Sequence, residues 1–369
     1  MKLPVVVKRD SAAYRGLYVA ALIAIAVLVF WGSTLERFEM GQVTRVMIFA
    51  IAIAGLNIAT GYTGLLSVGH SAFFGIGAYT TGILVVKHDW AAWATIPVSA
   101  FVCLIVGLLV GLPALRIRGL YLAMVTLAFA VAFPEMVARF DGLTGGSSGM
   151  SIPRALLRPP EWSGYALGQK DVWLYWVAIV VLLVTMYLIR SLIRSRYGLA
   201  MTAVRQNEIA AASSGMNIAV VKVAMFGISG AITGAAGGLF AMYLGSLYAE
   251  GSFTLLAGIT LLIGLVIGGE RTLLGPLIGG VITVYVPYYT SDLGQGQASA
   301  VLFAVVLILV IFLAPSGIAG GLGRLGRRFV VFRPARPAPV AGRSANPPDA
   351  HRAPPVPDGS LTVKERQDS

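Results

Sequence analysis

Apolar residues in this chain neither alternate strictly nor repeat with a helical stripe; they run on without a charge for sixteen residues or more. The runs cover 16–35, 46–86, 90–115, 119–134, 172–189, 223–249, 251–269, 272–291 and 293–323. A helix rising about 1.5 Å per residue crosses a hydrocarbon layer of roughly 30 Å in about 20 residues, so the runs are read as the cores of membrane spans. The run 46–86 holds 41 residues and as one helix would reach about 60 Å, twice what is needed. It is therefore read as two spans with the turn at 59–63. The pattern predicts an all-α polytopic membrane protein of about ten transmembrane helices.

The double run contains a stretch dense in polar residues and glycine, 55–79. It carries Asn57, Thr60, Thr63, Ser67, His70 and Ser71, with glycine at 55, 61, 64, 69, 75 and 77. An unpaired polar group in hydrocarbon costs several kcal/mol, so these side chains must face protein or a water-filled path. Ser67, Ser71, Gly75 and Tyr79 fall four apart and make one face of mostly small residues, which lets another helix approach closely. Two readings follow. The stretch is a packing seam with hydrogen-bonding side chains, or a break near Gly61–Gly64 separates two segments that line a solute path. The second reading makes Asn57, Tyr62, Ser67, His70 and Phe73 the candidate pathway residues. Later glycines at 230, 234 and 238, with 237 and 245 flanking Ala241, predict two close-packing faces on the span 220–247.

Composition narrows the class. Hydrophobic residues make up 57% and charged residues only 12%, about half the charge of an ordinary soluble domain. The net charge of +12 lies in short loops and in the tail, so it reads as a topology signal and not as a nucleic-acid surface. With both termini cytoplasmic, inside loops hold fifteen Lys and Arg against seven outside, Arg37 and Arg45 being among the seven. Basic residues ahead of 16–35 resemble a signal peptide, but no small-x-small cleavage site follows, which predicts a retained first helix. The single cysteine, Cys103, leaves no intrachain disulfide and no thiolate metal site.

The long external loop, 139–171, contains DGLTGGSSGM and several prolines, which predicts an adaptable surface loop, either a linker or a lip where the solute or a delivery protein is met. The cytoplasmic loop 190–222 contains helix formers from Leu199 to Ala212, ended by Ser213, Ser214 and Gly215. Its apolar positions, Leu199, Ala203, Ile209 and Ala212, are too few for a core of its own, so a single helix over 199–215 needs a docking partner to hold it. Ala203, Ala210, Ala211 and Ala212 permit close seating, with Arg205 and Glu208 as charged anchors. The permease region is thus 1–328. Beyond it, 329–369 carries eight of the 18 prolines and reads as a disordered cytoplasmic tail.

Chemistry is sparse. There is no P-loop motif, no H-E-x-x-H, no C-x-x-C and no G-x-S-x-G, and the three histidines are scattered. This predicts no catalytic residue, no metal site and no cofactor on the chain. Glu135, Glu250, Glu270 and Asp292 fall at span ends, which weighs against ion coupling and points to energy supplied by another chain.

Five segments in order carry a resemblance: GLNIATGYTGLLSVGHSAFFGIGAYT, RGLYLAMVTLAFA, LTGGSSGMSIP, RSRYGLAMTAVRQNEIAAASSGMN and LVIGGERTLLGPLIGG. Together they resemble the permease subunits of branched-chain amino acid ABC importers, the longer M-type above all. The resemblance implies a bacterial inner-membrane permease paired with a second, similar subunit. It also implies two cytoplasmic ATPase subunits that bind the ATP, an external solute-binding protein, and lipid around the bundle. The family's cytoplasmic loop docks the ATPase, and Glu208, Ala210, Ala211 and Gly215 match its signature, with Ile209 where alanine is common. GGERTLLG departs from the frequent GG-LGSL-GP form at Glu270 and Arg271. Relatives that move urea, short amides or a sugar are the neighbouring alternatives, and a stand-alone small-solute channel is the alternative from another class.

Overall fold

The computed structural model describes residues 34–113 and 120–293, together with 5–8, 30, 32, 305, 308, 312, 317–321 and 330–333. Eight long helices occupy the continuous parts: α1 (Arg37–Leu56), α2 (His70–His88), α3 (Thr95–Gly111), α4 (Leu120–Arg139), α5 (Lys170–Arg194), α8 (Ile218–Leu244), α9 (Leu255–Gly268) and α10 (Gly275–Leu293). Two short ones, α6 (Arg196–Gln206) and α7 (Glu208–Ser213), lie between α5 and α8. The eight long helices correspond to eight of the ten spans expected. The remaining runs, 16–35 and 293–323, lie almost wholly outside the described residues. By length and composition, six helical segments among the described residues qualify to cross a membrane, from 19 to 27 residues long.

α8 is the centre of the bundle and packs against α3, α2 and α1, while the α9–α10 pair and α5 pack on α1. Its small residues explain the position. Gly230 and Gly234 face Cys103 and Ser99 of α3, and Gly237 faces the Phe74 carbonyl of α2. Backbones meet there with no side chain between them, which is how helices gain contact where lipid removes the hydrophobic incentive to associate. Both predicted faces of this helix are used.

The break in the double run falls later than predicted. α1 continues through one turn of π-helix, Asn57–Tyr62, and the chain leaves helical geometry only at 63–69. Two hydroxyls tie the turn to the segment after it. Thr63 Oγ1 donates to the Ile58 carbonyl (2.8 Å), which also accepts from the Thr63 amide, and Thr60 Oγ1 donates to the Leu65 carbonyl (3.0 Å). Ser67 consequently precedes α2, and does not share a continuous helix face with Ser71, Gly75 and Tyr79.

The loop 139–171 is not loose. Met150–Ser151 pairs antiparallel with Ser246–Leu247, and Met150, Ile152 and Leu157 are buried. Gly149 (φ 76°) makes this pairing possible: a Cβ there would strike the Leu247 carbonyl. The glycines of this loop shape fixed turns and anchor it to the C-terminal end of α8. At the other extreme, Val5–Lys8 and Val330–Arg333 form a parallel pair, so the first residues of the predicted tail are a strand. The rest of the tail, 334–369, lies outside the described residues.

Candidate functional site

The π-turn ends beside the GGERT segment that joins α9 to α10. Asn57 holds the two together: its Nδ2 donates to the Thr272 carbonyl and its Oδ1 accepts from the Arg271 amide, both at 3.1 Å. Asn57 is buried, and both ends of its amide find a backbone partner inside the protein. Arg271 occupies the left-handed region (φ 59°), as the tight turn over Asn57 requires.

Arg205, near the end of α6, enters the same junction. Its Nη1 donates to the Thr60 carbonyl (3.2 Å) and its Nη2 bonds the Glu270 carboxylate (3.0 Å). A planar guanidinium with several donors suits such a task, reaching a carbonyl and a carboxylate at once. One side chain thus joins α6 to the π-turn that follows α1 and to the α9–α10 turn.

The segment 199–215 is two helices, not one. Asn207 ends α6 and caps α7 with its own side chain, accepting from the Ile209 and Ala210 amides at 3.0 and 3.1 Å. Gly215 (φ 79°) closes α7 in the left-handed conformation that a helix C-terminus favours. α6 is held by its own chain: Met201 and Val204 are buried, while Leu199 (76% exposed) and Ile209 on α7 (71%) point outward. Glu208 pairs with the buried Lys222 of α8 at 2.7 Å, and Ala211 is buried too, whereas Ala210 and Ala212 are exposed. The predicted coupling residues therefore divide. Arg205, Glu208 and Ala211 fasten the loop inward, Gly215 shapes its end, and Ala210 stays on the surface.

Deeper in the bundle, His70 opens α2. Its Nε2 lies 2.6 Å from Ser229 Oγ and its Nδ1 lies 2.8 Å from Ser67 Oγ. Ser229 donates its one hydroxyl proton to the Gly55 carbonyl (2.7 Å), so it can only accept from His70. The network assigns the neutral Nε2–H imidazole, with Ser67 donating to Nδ1. The rings of Phe73 and Phe226 close the edges at 5.5 and 5.9 Å. His70, Ser67 and Phe73 thus form a dry knot linking α1, α2 and α8. Replacing His70 with Ala removes two buried hydrogen bonds and leaves a ring-sized void, an expected loss of about 3 kcal/mol. Thermal unfolding of the detergent-purified protein measures it. An unchanged midpoint with abolished uptake would instead make His70 a solute contact.

The sequence comparisons agree with this geometry. The family model described as branched-chain amino acid transport system / permease component matches residues 40–314. The chain belongs to this permease family. The high-affinity branched-chain amino acid transport system permease protein LivM of Salmonella typhimurium is 31% identical, over 84% of this chain and 76% of LivM. LivM of Escherichia coli K12 is 30% identical over the same shares. No solved structure matches. As a member of this permease family, the chain is a multi-pass membrane protein.

For this permease, the structure brings Asn57 to the Arg205 junction and sets Ser67, His70 and Phe73 apart in the α1–α2–α8 knot. Tyr62 is buried at the end of the π-turn that follows α1. Sequence reasoning missed Glu270, Lys222 and Ser229 as partners, since they lie 65, 14 and 159 positions from the residues they bind. The GGERT charges, isolated between two apolar runs, were the one available signal for the junction.

Proposed function

We propose that the chain is the transmembrane permease subunit of an ABC importer that moves branched-chain or similar small amino acids inward. It works beside a second homologous permease subunit. Two cytoplasmic ATPase subunits supply the energy and an external solute-binding protein delivers the solute. The observation that carries this reading is the Arg205 junction, with apolar Leu199 and Ile209 exposed on the helices that it anchors. A stand-alone channel has no use for a docked cytoplasmic element fastened to the broken helix. The full arrangement is ten transmembrane helices with both termini cytoplasmic, set in a bacterial inner membrane. The parallel pairing of Val5–Lys8 with Val330–Arg333 supports an even number of crossings, since it puts both chain ends on one side.

The test is reconstitution of the permease pair, ATPases and binding protein in proteoliposomes. Expected is leucine uptake that needs both ATP and the binding protein. Equal uptake by the permease alone would support the channel, and a preference for urea, short amides or sugars would move the solute to those relatives' class.

A further inference from the structure

A cavity of about 550 Å³ opens among α1, α8, α9 and α10. Its α1 wall is Gln42, Arg45 and Phe49, three and four residues apart and so on one helix face. Phe240 and Leu244 of α8, Thr260 of α9 and Thr283 of α10 complete a lining that alternates aromatic, aliphatic and hydroxyl groups. The volume falls in the range typical of small-molecule sites.

Two polar atoms here are unsatisfied among the described residues: Gln42 Oε1 and Arg45 Nε, both shielded from solvent and without a hydrogen-bond partner. Arg45 has no ion pair among the described residues either, and its guanidinium rests over the Phe49 ring at 5.7 Å. The sequence pattern put Arg45 in a loop, yet α1 begins at Arg37, so Arg45 lies more than two turns inside the helix. A cation so placed is costly unless something pairs with it. The vacant donor and vacant acceptor stand about one helical turn apart. An α-amino acid presents the complement, a carboxylate for the guanidinium and an ammonium for the amide oxygen, and its aliphatic side chain would face Phe49, Phe240 and Leu244.

Resting on the importer reading, we propose that Arg45 and Gln42 receive the carboxylate and ammonium of the transported amino acid in this cavity. Recognition of the groups common to all α-amino acids lets the apolar wall select the side chain. The test uses the reconstituted complex carrying Arg45→Gln, Arg45→Lys or Gln42→Leu. Losing a charge-assisted hydrogen bond from a shielded site predicts leucine uptake reduced about ten- to a hundredfold in Arg45→Gln and partly restored in Arg45→Lys. With wild type, leucine should compete with labelled leucine inside the complex far better than leucinamide, which lacks the carboxylate, and Arg45→Gln should narrow that gap. Co-purification of all subunits reports assembly separately. Uptake unchanged in Arg45→Gln overturns the site. So does loss of assembly in both Arg45 variants, which would make Arg45 an interface residue. A wild-type complex that assembles but moves no amino acid fails at the importer reading, and the proposed ligand falls with it.

Discussion

Replacing Arg205 with Ala should leave the permease folded and assembled but reduce ATP-driven uptake by about tenfold or more. The Arg205–Glu270 pair is partly exposed (29% and 37%), and such pairs contribute about 1 kcal/mol or less to stability. The loss appears instead in communication. Without the guanidinium, the α6–α7 element no longer grips the Thr60 carbonyl and the α9–α10 turn together, and coupling free energies of about 1–3 kcal/mol correspond to roughly 5- to 150-fold. Stimulation of ATP hydrolysis by the solute-loaded binding protein should fall in parallel. The double exchange Arg205→Glu with Glu270→Arg restores an ion pair but not the bond to Thr60, so it should recover only part of the activity. Full uptake in Arg205→Ala would show that the junction is structural.

The second large effect is expected on the outward face of the same element. Leu199 and Ile209 are exposed, so changing both to Asp should barely alter folding. Seating in a partner groove buries them, at about 1.5–3 kcal/mol per side chain. Losing both weakens docking by about a hundredfold or more, at 1.4 kcal/mol per tenfold. The mutant should reach the membrane yet fail to retain the ATPases through affinity purification. Retention at wild-type yield would place the docking surface elsewhere. Gly215→Val is a milder test. No atom obstructs a side chain there, and the cost is only the strain of a β-branched residue at positive φ, about 1–2 kcal/mol.

The membrane class and the order of the eight long helices among the described residues were legible because a run of uncharged apolar residues is the direct imprint of hydrocarbon. Where the runs end is another matter. A charge marks the edge of a run, but a helix ends where its carbonyls find other partners. Hence Arg45 was placed in a loop although α1 begins eight residues before it, and the turn was set at 59–63 although helical geometry continues to Tyr62. The coupling segment was legible as helical, but Leu199 and Ile209 were no more apolar in sequence than Met201 and Val204. Only the packing of α6 on its own chain separates the buried pair from the exposed one. Pairings such as Arg205–Glu270 or His70–Ser229 join residues far apart in sequence, and a single chain's pattern holds no trace of them.

α8 is fastened at both ends. At its N-terminal end Lys222 is locked to Glu208 of α7, and at its C-terminal end the Gly245 carbonyl accepts from the Ile152 amide (2.8 Å) beside the Met150–Leu247 strand pair. With 27 residues it is a rod of about 40 Å. Its glycines bring it into close contact with α2 and α3 along its length. A thrust delivered to α7 by a partner would therefore travel along one unbroken strut and arrive at the loop 139–171, as a push on a piston moves the plate at its far end.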